Sequence, residues 1–282
     1  MTLTEIRAYF LPQLVAPGEL AGGVSVVIDV LRATTTITAA LAAGAREVIP
    51  CLEVDDARRE AAILPPGQAV LGGERGGLKI DGFDLGNSPS DYTPARVGHK
   101  SLVFTTTNGT RAMLHARAAD EIWLAALVNL SAVVGRCAER KRIDLLCAGT
   151  GGKITREDVL LAGAIVARLT APASDRHRSA AVPDNTVPDD TVPRGTVTSL
   201  TVPSDLTLND QAAIARAAWL LAVAGLGQQP PMELLRRELR QTQGGRNLAA
   251  LGLEADLADA AAIDCYSIVP RFDPRSGRIT PA

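Results

Sequence analysis

At 282 residues, with 46% hydrophobic residues and a formal net charge of −2, the chain can bury a full core and carries no electrostatic footprint for nucleic acid. No apolar run is long enough to cross a bilayer, and the start, MTLTEIRAYFLPQ, lacks the basic-then-apolar layout of a signal peptide. Cys51, Cys137, Cys147 and Cys265 are scattered through mostly apolar segments, which reads as buried thiols in a reducing cytoplasm and not as a disulfide frame.

In chain order, Ile6 to Phe10 predicts a first strand, ended by Pro12. Val24 to Val30 is short and β-branched, as a buried strand should be. From Thr34, apolar residues recur at helical spacing until Gly44. Between these two elements lie Asp29, Arg32 and the threonines Thr34 to Thr36. A carboxylate at a strand end, an arginine, and hydroxyls over a helix N-terminus suit a metal-assisted phosphate site. Next come a strand over Glu47 to Cys51, a helix over Asp55 to Leu64 and a strand over Ala69 to Leu71. Gly72 to Tyr92, dense in Gly, Asp, Asn and Ser, reads as one long loop, and such loops are often functional.

The same alternation continues. Ser101 to Phe104 is strand, TTTNGT (Thr105 to Thr110) a loop, and Arg111 to Ala118 helix. Glu121 to Leu127 is strand, Leu130 to Arg140 helix, and Ile143 to Cys147 strand. AGTGGKITRED then leads into a helix over Val159 to Leu169. This pattern predicts an α/β fold, a layered α/β/α arrangement with a largely parallel, mixed sheet and the site on strand-end loops. Residues 1–170 form the expected core. Ala171 to Asp205 repeats Val-Pro at 182–183, 187–188, 192–193 and 202–203 and reads as a disordered or polyproline-like insertion. Residues 206–282 read as helical and complete the fold. Asn209 or Asp210 caps a helix through Leu221, Met232 to Arg240 is a charged helix, two short helices follow, and Cys265 to Val269 is a last strand.

Several familiar motifs fail. Ala148 to Lys153 resembles a phosphate-binding loop, but Cys147 stands where that loop needs glycine. No G-x-G-x-x-G, G-x-S-x-G or H-E-x-x-H occurs. Leu31 replaces the second aspartate of a haloacid-dehalogenase-type phosphatase, and Lys153 stands where a cysteine phosphatase has arginine. His99, His115 and His177 have no metal-ligand spacing, so any metal rests on oxygen ligands, which favours magnesium. The surviving constellation has Asp29, Arg32, Glu74 and Arg75 as catalytic candidates. Thr34, Thr35, Thr106, Thr107, Asn108, Gly109, Thr110 and Lys153 would bind phosphate. Asp81, Asp84 and Asn87 add hard oxygen donors.

VVIDVLRATTTI, GGERGGLKIDGFDLGNSP and LVFTTTNGT, followed by AGTGGKITREDVLLAGAIV, LNDQAAIA and GGRNLAALGLEADL, resemble the hallmark segments of the 2-phosphosulfolactate phosphatase family. The resemblance covers most of residues 1–169 and resumes at 206. It implies a Mg²⁺-dependent phosphatase acting on (2R)-2-phospho-3-sulfolactate in coenzyme M biosynthesis, or on a related small phosphorylated acid. Asp29, Glu74 and Asp84 would hold Mg²⁺. The nucleophile is either a metal-bound water or Asp29 itself. The alternative is a non-catalytic binding protein for a small anionic metabolite. No nucleic-acid or membrane partner is expected, and a homo-oligomer is left open.

Overall fold

The computed structural model describes residues 2–171, 202–224, 226 and 230–282. The strands are β1 (Glu5–Tyr9), β2 (Val24–Ile28), β3 (Glu47–Cys51), β4 (Ala69–Arg75), β5 (Leu78–Lys79), β6 (Ser101–Thr105), β7 (Glu121–Ala125), β8 (Arg142–Cys147), β9 (Thr207–Leu208), β10 (Pro270–Asp273) and β11 (Arg278–Pro281). The helices are α1 (Ala33–Ala42), α2 (Val54–Ile63), α3 (Pro94–Val97), α4 (Gly109–His115), α5 (Leu130–Ala138), α6 (Arg156–Thr170), α7 (Asp210–Ala222), α8 (Met232–Arg240), α9 (Gln243–Ala250) and α10 (Ala255–Ala261). The α/β class and the largely parallel, mixed sheet are as expected.

The strands join in one sheet, in the order β5-β4-β6-β3-β11-β10-β7-β2-β8-β1-β9. Two parallel halves, β4-β6-β3 and β7-β2-β8-β1, are bridged by the antiparallel hairpin β10–β11. This corrects the expected last strand at Cys265 to Val269: that segment is not a strand, and the pairing begins at Pro270. The hairpin escapes a pattern search because Arg271, Asp273, Arg275 and Arg278 interrupt its short apolar signal, Phe272 and Ile279.

Buried strand residues alternate between the two faces because side chains alternate along a strand. Val24, Val26 and Ile28 join the core beneath α5, α6 and α7, whereas Val27 joins the core shared with α1 and α4. The α6 and α7 helices lie side by side, and Asn209 caps α7 by accepting the Ala212 N–H. Most of the expected insertion, residues 172–201, lies outside the described residues. By Val202 the chain already packs on the core, and Thr207 and Leu208 pair with Glu5 and Ile6.

The sheet order leaves four strands between β6 and β2. In a flat sheet that would hold their ends about 24 Å apart. Yet the loops following β2 and β6 touch, through Asp29 and Gly109. Strand-end loops from both halves therefore meet around one cleft.

Candidate active site

A cleft of about 450 Å³ opens at the carboxyl ends of the strands. Asp29, Arg32, Glu74, Asn87, Thr107 and Asn108 are among its lining residues. Asp29 follows β2 directly and is 7% exposed. Its Oδ1 accepts the Ala33 N–H at 3.3 Å, its carbonyl accepts the Thr34 N–H at 3.0 Å, and its amide donates to Thr34 Oγ1 at 3.1 Å. Asp29 Oδ2 takes no hydrogen bond among the described residues. Burial, opposed by the Ala33 N–H and reinforced by the charges of Glu74 and Glu157, lifts the Asp29 carboxyl to about 7.

The threonines do not serve as expected. Thr34 Oγ1 donates to the Asp29 carbonyl at 2.8 Å and Thr35 Oγ1 to the Val30 carbonyl at 2.8 Å. Both hydroxyls donate to carbonyls in the turn between β2 and α1, and neither residue lines the cleft. Threonine hydroxyls at a helix start compete well for nearby backbone carbonyls, and here that local bonding wins over ligand binding.

Glu74 is the joint between two loops. Its Oε1 accepts the Thr107 N–H at 2.8 Å and its Oε2 the Gly77 N–H at 2.7 Å. The expected long loop from Gly72 is thus partly ordered: β4 runs on to Arg75 and turns back through Gly76 and Gly77 into β5. Adjacent strand residues face opposite ways. Glu74 meets the cleft while Arg75 reaches the Leu52 carbonyl and Thr105 Oγ1 instead, at 2.6 and 2.9 Å. Arg75 is not on the cleft. Nor is Asp84, which is exposed and accepts the Leu71 N–H at 2.8 Å. Lys153 is exposed too, its backbone paired with Thr150.

The TTTNGT loop keeps its expected place. Thr106 lines the cleft, and its Oγ1 lies 3.4 Å from both the amide and the Oγ1 of Thr110. Thr110 is buried behind it. Asn108 Oδ1 accepts the Gly151 N–H at 3.2 Å, tying this loop to the one after β8. Gly109 opens α4 directly against Asp29.

Four features escaped the sequence. Asp158 accepts the amides of Val30 and Gly149 at 2.9 and 3.0 Å, locking the ends of β2 and β8 together. Burial, with the charges of Asp29 and Glu157, pushes its carboxyl well above the ordinary range. Glu157 accepts the Gly244 N–H at 3.1 Å, and burial raises its carboxyl as well. Asp256, on α10, pairs with Arg32 at 2.6 Å. Finally, α9 forms one wall of the cleft through Gly244, Asn247, Leu248 and Leu251. Acidic residues in a first helical turn, such as Glu157 and Asp158, ordinarily signal only a favourable helix dipole. Only their burial distinguishes them.

Among the described residues no group of three or more His, Cys, Asp and Glu side chains is arranged to hold a metal ion. The expected three-carboxylate set is not assembled, because Asp84 lies elsewhere. Asp29 and Glu74 do share the cleft, and each keeps carboxylate lone pairs free. Magnesium is commonly held by one or two carboxylates together with phosphate oxygens and water, so this pair fits it.

The 2-phosphosulpholactate phosphatase family model matches residues 9–274. A probable 2-phosphosulfolactate phosphatase of Symbiobacterium thermophilum is 38% identical over 263 residues, covering 90% of this chain and 93% of the relative. One of Pseudothermotoga lettingae is 34% identical over 267 residues, 95% of each chain. One of Caldanaerobacter subterraneus is 48% identical over 145 residues, 51% of this chain and 60% of the relative. A match running through both parallel halves of the sheet and the bridging β10 strand, with the cleft residues inside it, places this chain in the 2-phosphosulpholactate phosphatase family.

Proposed function

We propose that the cleft hydrolyses the phosphate monoester of 2-phospho-3-sulfolactate, or of a closely related small phosphorylated acid, with Mg²⁺ held by Asp29 and Glu74. The observation that carries this reading is a buried carboxyl, Asp29, on a cleft that also holds Glu74, Arg32 and the Thr106–Asn108 loop. Asp29 Oδ2, which takes no hydrogen bond among the described residues, would orient the attacking water. The Arg32 guanidinium and the side chains of Thr107 and Asn108 orient the substrate's oxyanions. Leu248 and Leu251 exclude water on the α9 side. Bound Mg²⁺ would neutralise charge on the phosphoryl oxygens.

The product, 3-sulfolactate, suits coenzyme M biosynthesis. The free thiols, three of them buried, suit the cytoplasm. Phosphate release from 2-phospho-3-sulfolactate and a panel of other small phospho-acids, with and without Mg²⁺, tests the reading. Tight binding without release would instead make the chain a binding protein. A phosphoryl group trapped on Asp29 by rapid quench, or retention of configuration at a chiral phosphorus, would make Asp29, not water, the attacking group.

A further inference from the structure

Arg32 lines the cleft, but most of its guanidinium is engaged behind it. Nη1 donates to Asp256 Oδ2 at 2.6 Å and to Ser88 Oγ at 3.3 Å, and Nη2 donates to the Gly77 carbonyl at 2.7 Å. Ser88 Oγ also donates to Asp256 Oδ2, at 3.0 Å, which closes a triangle of contacts. The side chains of Arg32 and Asp256 are each 3% exposed. Asp256 itself does not line the cleft.

A guanidinium carries its five N–H groups in one plane. Among the described residues, three contacts on two nitrogens fix that plane and leave the Nε–H and the second Nη2–H for a ligand. The ion pair with Asp256 also offsets the charge of Arg32. What Arg32 brings to the cleft is therefore the direction of its remaining donors more than a net positive charge.

We propose that Asp256 is a positioning residue: it holds Arg32 from behind so that the two remaining N–H groups meet an oxyanion of the substrate. The assignment rests on the phosphatase reading of the cleft. It makes the C-terminal helix α10, remote in sequence from every strand-end loop, part of the substrate-binding apparatus through a single carboxylate. It also explains why lysine would not serve at position 32, since an ammonium cannot keep a carboxylate, a hydroxyl and a carbonyl behind it and still present donors in front.

The test is a double-mutant cycle on the full chain with Asp256→Ala, Arg32→Met and the double variant, reading kcat, KM and thermal midpoint with 2-phospho-3-sulfolactate. Asp256→Ala should lower kcat/KM about 10²-fold, mainly through KM, the loss expected from misplacing a binding group. The double variant should match Arg32→Met within about threefold, because the two residues act as one unit. Asp256→Asn keeps an acceptor oxygen and should lose less; it is the arm to read if the alanine variant does not fold. Losses that multiply, or unchanged kcat/KM in folded Asp256 variants, would overturn the assignment. If the wild-type protein releases no phosphate from any ester, the phosphatase reading fails on its own account. The same cycle is then read on the affinity for inorganic phosphate by calorimetry. Non-additive losses there support the positioning role. Additive losses, no loss, or no phosphate binding by the wild type overturn it.

Discussion

Gly109 stands against Asp29 so closely that a β-carbon at position 109 would lie 2.8 Å from Asp29 Oδ2 and 2.6 Å from the Ala33 β-carbon. The start of α4 and the turn before α1 thus press together where strand-end loops from the two half-sheets meet. Gly109→Ala must push α4 outward or turn the Asp29 carboxylate aside. Turnover should fall about 10²-fold from this displacement, with a smaller loss of stability, about 1–3 kcal/mol. Kinetics and a thermal midpoint on one preparation check both. Normal turnover would mean that Asp29 has room to spare.

Asp29→Asn separates function from stability by sign. The Asp29 carboxyl is raised from 3.8 to about 7, so in the metal-free protein the folded state binds the extra proton between those values. Its contribution to stability is then fully present below the unfolded value and is lost as pH rises through about 7. The asparagine variant lacks that slope. In EDTA above pH ~8 it should melt higher than the wild type, while turnover falls at least ~10²-fold. A variant that melts lower at every pH and turns over normally would remove Asp29 from the chemistry.

Glu74→Gln keeps the shape but leaves one of two backbone amides, Thr107 or Gly77, facing an NH₂ group. Losing an acceptor from a buried N–H costs about 1–3 kcal/mol. Denaturant unfolding should register that loss, and Mg²⁺ titration should show weaker activation. Unaltered stability would show that Glu74 does not join the two loops in solution.

Cys147 is fully buried at the end of β8, and burial pushes its thiol well above the ordinary range. A protonated thiol off the cleft is no nucleophile. Cys147→Ala should keep most of the activity, EDTA should abolish it, and Mg²⁺ should restore it. An inactive alanine variant, together with a wild type whose activity resists EDTA, would reverse the assignment.

Much of this architecture is legible along the chain because the relevant physics is local. The β-branched run at Val24 to Ile28, the helical spacing after it, and the small-polar TTTNGT loop declare strand, helix and strand-end loop from their own residues. Asp29, Glu74 and the Thr106–Asn108 segment follow as candidates because several polar strand-end loops recur along the chain, each of which alone would read as an ordinary turn. The sequence also named Arg32, though not the contacts that orient it.

What remained hidden depends on contacts between distant segments. Whether Glu74 or Arg75 faces the cleft is a matter of strand phase, visible only once β4 is known to run through Arg75 and pair with β6. Whether Thr34 and Thr35 meet a ligand depends on whether backbone carbonyls claim their hydroxyls first. Asp158 and Asp256 acquire meaning only through partners 128 and 224 positions away, Val30 and Arg32. The elements and the polar loops between them can be read along the chain, since propensity and periodicity act over a few residues. Which of those loops share a cleft follows from the β10–β11 hairpin, which joins two parallel half-sheets into one sheet and sets distances that no local pattern encodes.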